Sequence, residues 1–337
     1  MIEIIEGQNR YKNLIRPRTL FVFTDTAAKN SILSIVNHVC SYHQADDFLI
    51  CSLTEFRSLI GVKSVISDFS AAHIREILDE FKPQMVFLGT SVKNYEWVWI
   101  NEAEKLNIET HSFVDHFNSY KNRFVYDSVI YWPDYIYVLN ENAKLDAKHE
   151  GVPEEKLIIL RNPYYYDIES YKPEISYEDF LRMYDLKIES KVLLFISDSV
   201  STHLPDLGFN EFSMLELLLN TLKDLQNKNQ LTNNWNIIVK LHPDEDKTKF
   251  DPLVKTYIES GMKINVIKTA DPKLLNYYAD KVIGMFSNMV IESLLMNKPV
   301  LRIEIGQKRE LLKFDEKNCV VVKEIEQLNE ELVKFMD

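Results

Sequence analysis

Short runs of Val, Ile, Leu and aromatic residues alternate along this chain with longer stretches in which apolar side chains return every third or fourth position. The short runs suit strands buried on both faces, and the longer stretches suit the helices that cover them. In the first half the pattern predicts strands over 20–24, 48–53, 85–89, 109–114 and 135–139, with helices over 29–41, 71–81, 97–106 and 118–131. Asp68-Phe69-Ser70 supplies cap residues for the second of these helices, and Lys82-Pro83 follows its end as a stop. This order predicts a parallel sheet with helices on both faces.

After the turn Val152-Pro153-Glu154-Glu155-Lys156 one more strand is expected over 157–160. Residues 167–190 are polar and aromatic, with one weak helix near 177–184, and read as a connection. The pattern then restarts, with strands over 192–197, 236–241, 264–267, 282–285 and 300–305 and helices over 211–227, 246–260, 272–279, 288–297 and 325–336. The expected organisation is an α/β chain of two doubly wound domains facing a central cleft. The N-terminal domain spans 1–165, a connection 166–190, and the C-terminal domain 191–337.

Composition then removes several function classes. The 337 residues, 46% apolar and 12% aromatic, are enough to fill two cores. With 39 Lys plus Arg against 51 Asp plus Glu, the net charge of -12 offers no general attraction to phosphate polymers, so no nucleic-acid partner is expected. The one basic cluster, Arg10, Lys12, Arg16 and Arg18, reads as a solvated arm. Cys40, Cys51 and Cys319 have neither C-x-x-C nor Cys/His spacing, which fits a reducing cytosol without a disulfide framework or structural zinc. The acidic start Met-Ile-Glu-Ile-Ile-Glu is unlike a signal peptide, and no apolar run approaches the roughly 18 residues of a membrane span. A cytoplasmic protein is expected, with possible peripheral association at the inner face of a membrane. None of the eight glycines builds G-x-G-x-x-G or a P-loop, so any phosphate must be held by other means.

Two turns in the second half are built for that purpose. Val239-Lys240-Leu241-His242-Pro243 ends a strand in a histidine that Pro243 restricts to extended backbone. Such a ring can donate to a phosphate oxygen or assist a phosphate leaving group; equally, it can satisfy a local carbonyl. Gly284-Met285-Phe286-Ser287-Asn288 runs from a strand into an apolar helix, where Ser287 is a natural N-cap and the free N–H groups after it, Asn288 included, form an anion site. Glu292, further along that helix, can accept from a ribose hydroxyl or lie in solvent. Asp198-Ser199 follows the first strand of this half and Asp25 the first strand of the chain, both weaker candidates. Asp244 and Glu245 read as solvated acids, and His203, His38, His43, His73 and His149 as ordinary residues without metal spacing.

In the first half, Val114-Asp115-His116-Phe117-Asn118 closes a strand with polar groups. Asp115 or His116 can take a proton from a hydroxyl, or Asp115 can cap the helix expected from Asn118. Arg123 can bind a substrate carboxylate or pair with a surface acid.

Lys240-Leu241-His242-Pro243, followed by a strand ending in Phe286-Ser287 and an apolar helix, resembles the His-Pro and Ser motifs of bacterial GT-B glycosyltransferases that use CMP-activated acidic sugars, the sialyl-, polysialyl- and Kdo-transferases. It is also similar to the corresponding segment of CDP-glycerol-dependent polymerases, and Gly151 to Pro163 looks like the domain-joining stretch of many GT-B proteins. The resemblance implies a GT-B fold of two Rossmann-like domains. In that resemblance His242 would contact the nucleotide phosphate, Ser287 and the amides after it would bind phosphate, and Asp115 or His116 would be the counterpart of the acidic catalytic motif. The residues' own reading adds Pro243, Asn288, Glu292 and Ser199 on the nucleotide side and Arg123 for an acidic acceptor or substrate carboxylate. The family's Asp/Glu-Asp/Glu-Gly motif is absent as such, and Asn288 stands where a second serine is usual. The expected activity is transfer of a sugar from a CMP-sugar donor to a glycan or lipid-linked glycan hydroxyl in surface polysaccharide assembly, without metal or cofactor. The alternatives are a nucleotide-sugar epimerase or hydrolase on the same architecture, a CDP-glycerol-type transferase, and a non-catalytic binding protein.

Overall fold

Two all-parallel sheets organise the chain in a computed structural model that describes residues 11, 13–53, 55–56, 61–91, 93–231, 233–308, 311–312 and 318–337. The chain divides into two compact units, one ending at Asp167 and the other beginning at Ile168. Arg10, Lys12 and the acidic start lie outside the described residues. Arg16 and Arg18 are not part of a solvated arm: Arg16 pairs with Glu109 at 3.0 Å, and Arg18 donates to the carbonyl of Lys82 and covers the Phe81 ring.

The first unit runs β1 (Thr19–Phe23), α1 (Thr26–Val39), β2 (Phe48–Ser52), β3 (Lys63–Ile66), α2 (Ala71–Phe81), β4 (Met85–Gly89), α3 (Trp97–Lys105) and β5 (Glu109–Phe113). A hairpin of β6 (Val125–Tyr126) and β7 (Val129–Ile130) follows, then β8 (Tyr135–Val138), α4 (Glu141–His149) and β9 (Leu157–Ile159), and α5 (Pro163–Glu169) runs across the boundary at Asp167. Its seven-stranded sheet has the order β3-β2-β1-β4-β5-β8-β9. The second unit runs α6 (Tyr177–Met183), β10 (Lys191–Ile196), α7 (Val200–His203), α8 (Glu211–Asn227), β11 (Trp235–Lys240), α9 (Lys247–Glu259), β12 (Lys263–Ile267), α10 (Pro272–Tyr278), β13 (Lys281–Gly284), α11 (Asn288–Leu295), β14 (Val300–Ile303), β15 (Cys319–Val322) and α12 (Ile325–Met336). Its six strands are ordered β12-β11-β10-β13-β14-β15. Both sheets therefore reverse direction of growth beside their first strand, between β1 and β4 and between β10 and β13. In open α/β sheets that switch point is where ligands bind.

The central strands are buried on both faces, which explains their unbroken apolar runs: β1, β2 and β4 are buried at every position. Burying each such side chain contributes about 1.5–3 kcal/mol. A glycine ends the fourth strand of each unit because a helix crosses close by. A Cβ on Gly89 would come within 2.5 Å of the Ala28 Cβ, and one on Gly284 within 2.7 Å of a Val290 methyl. Caps fix the helix starts. Ser70 accepts from the His73 N–H, and Asn210 and Ser213 form a capping box that opens α8 where the periodicity predicts it.

One expected element is replaced. The helix predicted over 118–131 is a single short turn over Lys121–Phe124 followed by the β6–β7 hairpin. Asp127 and Ser128 both take positive φ, 47° and 64°, the conformation a two-residue hairpin turn demands, and Val125, Val129 and Ile130 favour strands. Three elements carry weak patterns. β3 is an edge strand exposed or half-exposed along its length, α4 is mostly polar, and β15 is only partly buried.

Candidate functional site

In the second unit, the carboxyl ends of β10, β11 and β13 present Ser197-Asp198-Ser199, Leu241-His242-Pro243 and Met285-Phe286-Ser287 side by side, because the three strands are paired in register. The backbone of this edge is tied together by two buried acids. Glu245 accepts from the Ser197 hydroxyl and the His242 N–H, both at 2.6 Å, so it locks the His-Pro turn to the end of β10. Burial pushes its carboxyl up. Asp198 accepts from the Phe286 N–H at 3.1 Å and so spans the switch point. It is fully enclosed; burial outweighs its bonds to Phe286 and Ser287, and with Glu245 near, its pKa is pushed up to about 7.

Burial holds His242 below the ordinary imidazole value. Its Nδ1 accepts the Asp244 N–H at 3.2 Å, which leaves Nε2 as the protonated nitrogen of the neutral ring and so a donor. Pro243 is exposed and acts through the backbone. Ser287 is the N-cap of α11 as expected, accepting from Met289 N–H at 3.3 Å. The amides there are not all open to an anion, since Phe286 N–H is taken by Asp198, Met289 N–H by the Ser287 hydroxyl and Val290 N–H by the Ser287 carbonyl. Asn288, half-buried, opens the helix itself.

Glu292 is not a solvated helix residue. It is 9% exposed, its Oε2 has no hydrogen-bond partner among the described residues, and burial, offset in part by Lys273, pushes its carboxyl up to about 7. The Ser199 hydroxyl is likewise buried without a partner among the described residues. Unsatisfied buried polar atoms cost about 1–3 kcal/mol each, and a ligand that meets them recovers that cost.

The carboxyl edge of the first unit's sheet carries different chemistry, from the switch point between β1 and β4 to the neighbouring β5. Asp115 follows β5 and is 2% exposed; its Oδ1 accepts from His116 Nδ1 at 2.6 Å, while Oδ2 lacks a partner among the described residues. Burial pushes Asp115 up, but the charge and hydrogen bond of His116 and the charge of Arg123 outweigh it and hold the carboxyl below the usual range. No helix starts at Asn118, so Asp115 caps nothing. Arg123 is 3% exposed rather than paired at the surface, and its Nη1 has no partner among the described residues. Asp25, at the end of β1, caps α1 by accepting the Ala28 N–H at 2.9 Å, and burial and the nearby Asp115 push it up. Beneath it, buried Glu96 accepts from Thr24 at 2.7 Å and Ser91 at 2.8 Å, joining the ends of β1 and β4.

The structure thus gathers His242, Ser287, Asn288 and Ser199 on one sheet edge with Glu292 on the helix that follows, and Asp115, His116 and Arg123 on the other. Sequence reasoning missed Ser197, Thr24, Ser91 and Glu96, and read Glu245 as solvated and His203 as ordinary. His203 Nε2 donates to Asp244 Oδ2 at 2.9 Å. Strand-end position is the signal that finds Thr24, Ser91 and Ser197, since each stands one or two residues past a buried strand. Two cavities lie away from this chemistry. One of about 490 Å³ sits where β11 and β12 begin, lined by Trp235, Asn234 and Lys263; the other, of about 330 Å³, lies beside β2 and β3, lined by Lys63 and His73. The polar edges are the better candidates, because the buried charged groups Asp115, Arg123 and Glu292 stand there with atoms unpartnered among the described residues.

No protein-family model and no curated protein sequence matches the chain. Solved structures do. HepE of Anabaena in complex with UDP and glucose aligns at a TM-score of 0.65 and 13% identity, over 94% of this chain and 90% of that one. The UDP-GlcNAc 2-epimerase of Methanocaldococcus jannaschii aligns at 0.63 and 14% identity over 95% and 92%, and that of Neisseria meningitidis bound to UDP-GlcNAc at 0.61 and 14% over 94% and 93%. At these identities the likeness establishes the fold, a GT-B-type pair of Rossmann-like units, as expected. Two of these three neighbours are UDP-GlcNAc 2-epimerases and none is described as a CMP-sugar transferase, a likeness nearer to the epimerase alternative than to the first expectation. Among the described residues no helix is long and apolar enough to cross a membrane.

Proposed function

We propose that this chain is a nucleotide-sugar epimerase that takes a UDP-sugar, with the nucleotide on the second unit and acid–base chemistry supplied by the first. The observation that supports the nucleotide assignment is Glu292: a buried carboxyl with an oxygen unpartnered among the described residues, about one and a half turns into the helix capped by Ser287, suits an acceptor for a ribose hydroxyl. The His242 Nε2–H and the Asn288 amide offer neutral donors for phosphate oxygens, and Ser199 offers a hydroxyl. UDP replaces the CMP expected from sequence because the structural neighbours hold UDP, UDP-glucose and UDP-GlcNAc.

Epimerisation removes a proton from one face of a carbon and returns one to the other, so it needs more than one proton-transfer group. The first unit has such a set, with an ionised Asp115 bonded to His116 and a second carboxyl, Asp25, that senses its charge. Arg123 is available to stabilise negative charge developing beside them. A transferase acting on a glycan hydroxyl would use the same Asp115 as its single base and would need an acceptor.

Incubation with UDP-GlcNAc in D2O without acceptor separates the two readings. The epimerase reading predicts a second sugar epimer and deuterium at the inverted carbon, both seen by proton NMR. Absence of turnover until an acceptor glycan is added, with UDP then released, overturns it in favour of transfer.

A further inference from the structure

Three side chains that the sequence separates into ordinary or solvated residues converge at the His-Pro turn. His203 ends α7, His242 ends the β11 strand run, and Asp244 lies two residues on; one ligand atom from each lies within 4.8 Å of the others. Asp244 Oδ2 stands 2.9 Å from His203 Nε2 and 3.8 Å from His242 Nδ1, and the two imidazoles meet edge to face with centroids 5.8 Å apart. A metal bound at about 2.0–2.2 Å by imidazole nitrogen and carboxylate oxygen needs its ligand atoms roughly 3–3.5 Å apart. The two carboxylate distances bracket that range. The two histidines must close somewhat, which is open to them because His203 is half-exposed and His242 is at the rim of the edge.

We propose that His203, His242 and Asp244 form a site for a divalent transition-metal cation, zinc above all, at the phosphate end of the second unit's nucleotide edge. The donor set decides the class of metal: two imidazoles and one carboxylate suit zinc, cobalt or nickel, whereas magnesium and calcium prefer all-oxygen shells. Binding exchanges the proton on His203 Nε2 and the long bond from Asp244 N–H to His242 Nδ1 for metal–ligand bonds. Three protein ligands leave at least one coordination position, and a phosphate oxygen is the group that the nucleotide reading brings there. The bridging role rests on that reading, and the metal site itself does not. With the cation bound at Nδ1, His242 keeps its Nε2–H, and the metal adds a second contact to phosphate beside it.

The test titrates the full-length protein with Co2+, read by its visible d–d absorption, with Zn2+ as competitor. The expected result is one tight equivalent displaced by Zn2+, and at least tenfold weaker binding in His203→Ala and in Asp244→Asn. Circular dichroism and melting should be unchanged in both, because both side chains are exposed, and His149→Ala on α4 serves as a control that binds normally. Undiminished Co2+ binding in both variants, or no visible band in the wild type, overturns the site. UDP binding measured with and without Zn2+ then separates the two claims. The bridge predicts at least a tenfold gain with Zn2+ that His203→Ala abolishes; equal UDP affinity in both conditions overturns the bridge, and Co2+ binding with no UDP binding at all overturns the nucleotide reading.

Discussion

Asp115 in the first unit follows β5, one strand beyond the switch point, and Asp198 in the second follows β10 at the switch point itself; both stand just past a parallel strand and both are buried. Their carboxyls are nevertheless driven in opposite directions. Asp115 is held low because burial is outweighed by His116 and Arg123, whereas Asp198, with only N–H and hydroxyl donors and the like-charged Glu245 around it, rises to about 7. Burial at a sheet's carboxyl edge supplies the dehydration; the cations within reach decide whether the acid there stays charged or is partly protonated near neutral pH. An ionised Asp115 can take a proton at neutral pH. Asp198 and Glu292, each pushed up to about 7, carry less negative charge near neutral pH than ordinary carboxylates and so repel a neighbouring phosphate less. The division of labour proposed for the two units rests on that difference in electrostatics.

Asp115→Asn attacks this division at its strongest point. It should lower turnover by about 10²–10⁴-fold, the range of a lost general base, while UDP affinity by calorimetry stays within about twofold. A large loss of UDP affinity would merge the two roles that the comparison separates. Next in size, Glu292→Gln should weaken UDP binding roughly tenfold, the value of one hydrogen bond to a charged group. Wild-type protein should lose a similar factor toward 2′- or 3′-deoxy-UDP, and the variant should not discriminate further. His116→Ala removes the largest influence that holds Asp115 down. The acid limb of its pH–rate profile should therefore move to higher pH, and an unmoved limb would assign that limb to another group.

The smallest effect concerns stability. Asp198 has a folded pKa near 7 against an ordinary 3.8, so it favours folding fully below about 4, and that contribution is lost as pH rises toward 7. Asp198→Asn should melt with the wild type near pH 4 and a few degrees above it at pH 8, with the gain growing between those limits. A gain that is the same at every pH would mean that the carboxyl is not the cause.

The strand–helix alternation, the exact spans of α2, α8 and α12 and the Ser287 cap were legible because each is written in adjacent residues: a period, a cap, a breaker. His242 was legible as a strand-end histidine for the same reason. Glu245 was not, since its burial depends on Ser197, which approaches only through the pairing of β10 with β11. His203 and Asp244 are 41 positions apart, and nothing local marks either. The apolar residues of the hairpin at 125–130 also fit a helical period, and the turn signal that separates the two is Asp127-Ser128, whose positive φ closes the hairpin. Glu292 could not be placed in or out of solvent from a single acid on an apolar helix.

Hydrogen–deuterium exchange with and without saturating UDP tests the central claim, that the second unit's carboxyl edge holds the nucleotide, most directly. The account predicts slower exchange at 197–199, 241–245 and 286–292, and clearly less change at 24–25, 90–96 and 113–123. Protection confined to the first unit's segments, or exchange unaltered by UDP at every one of these positions, would contradict it.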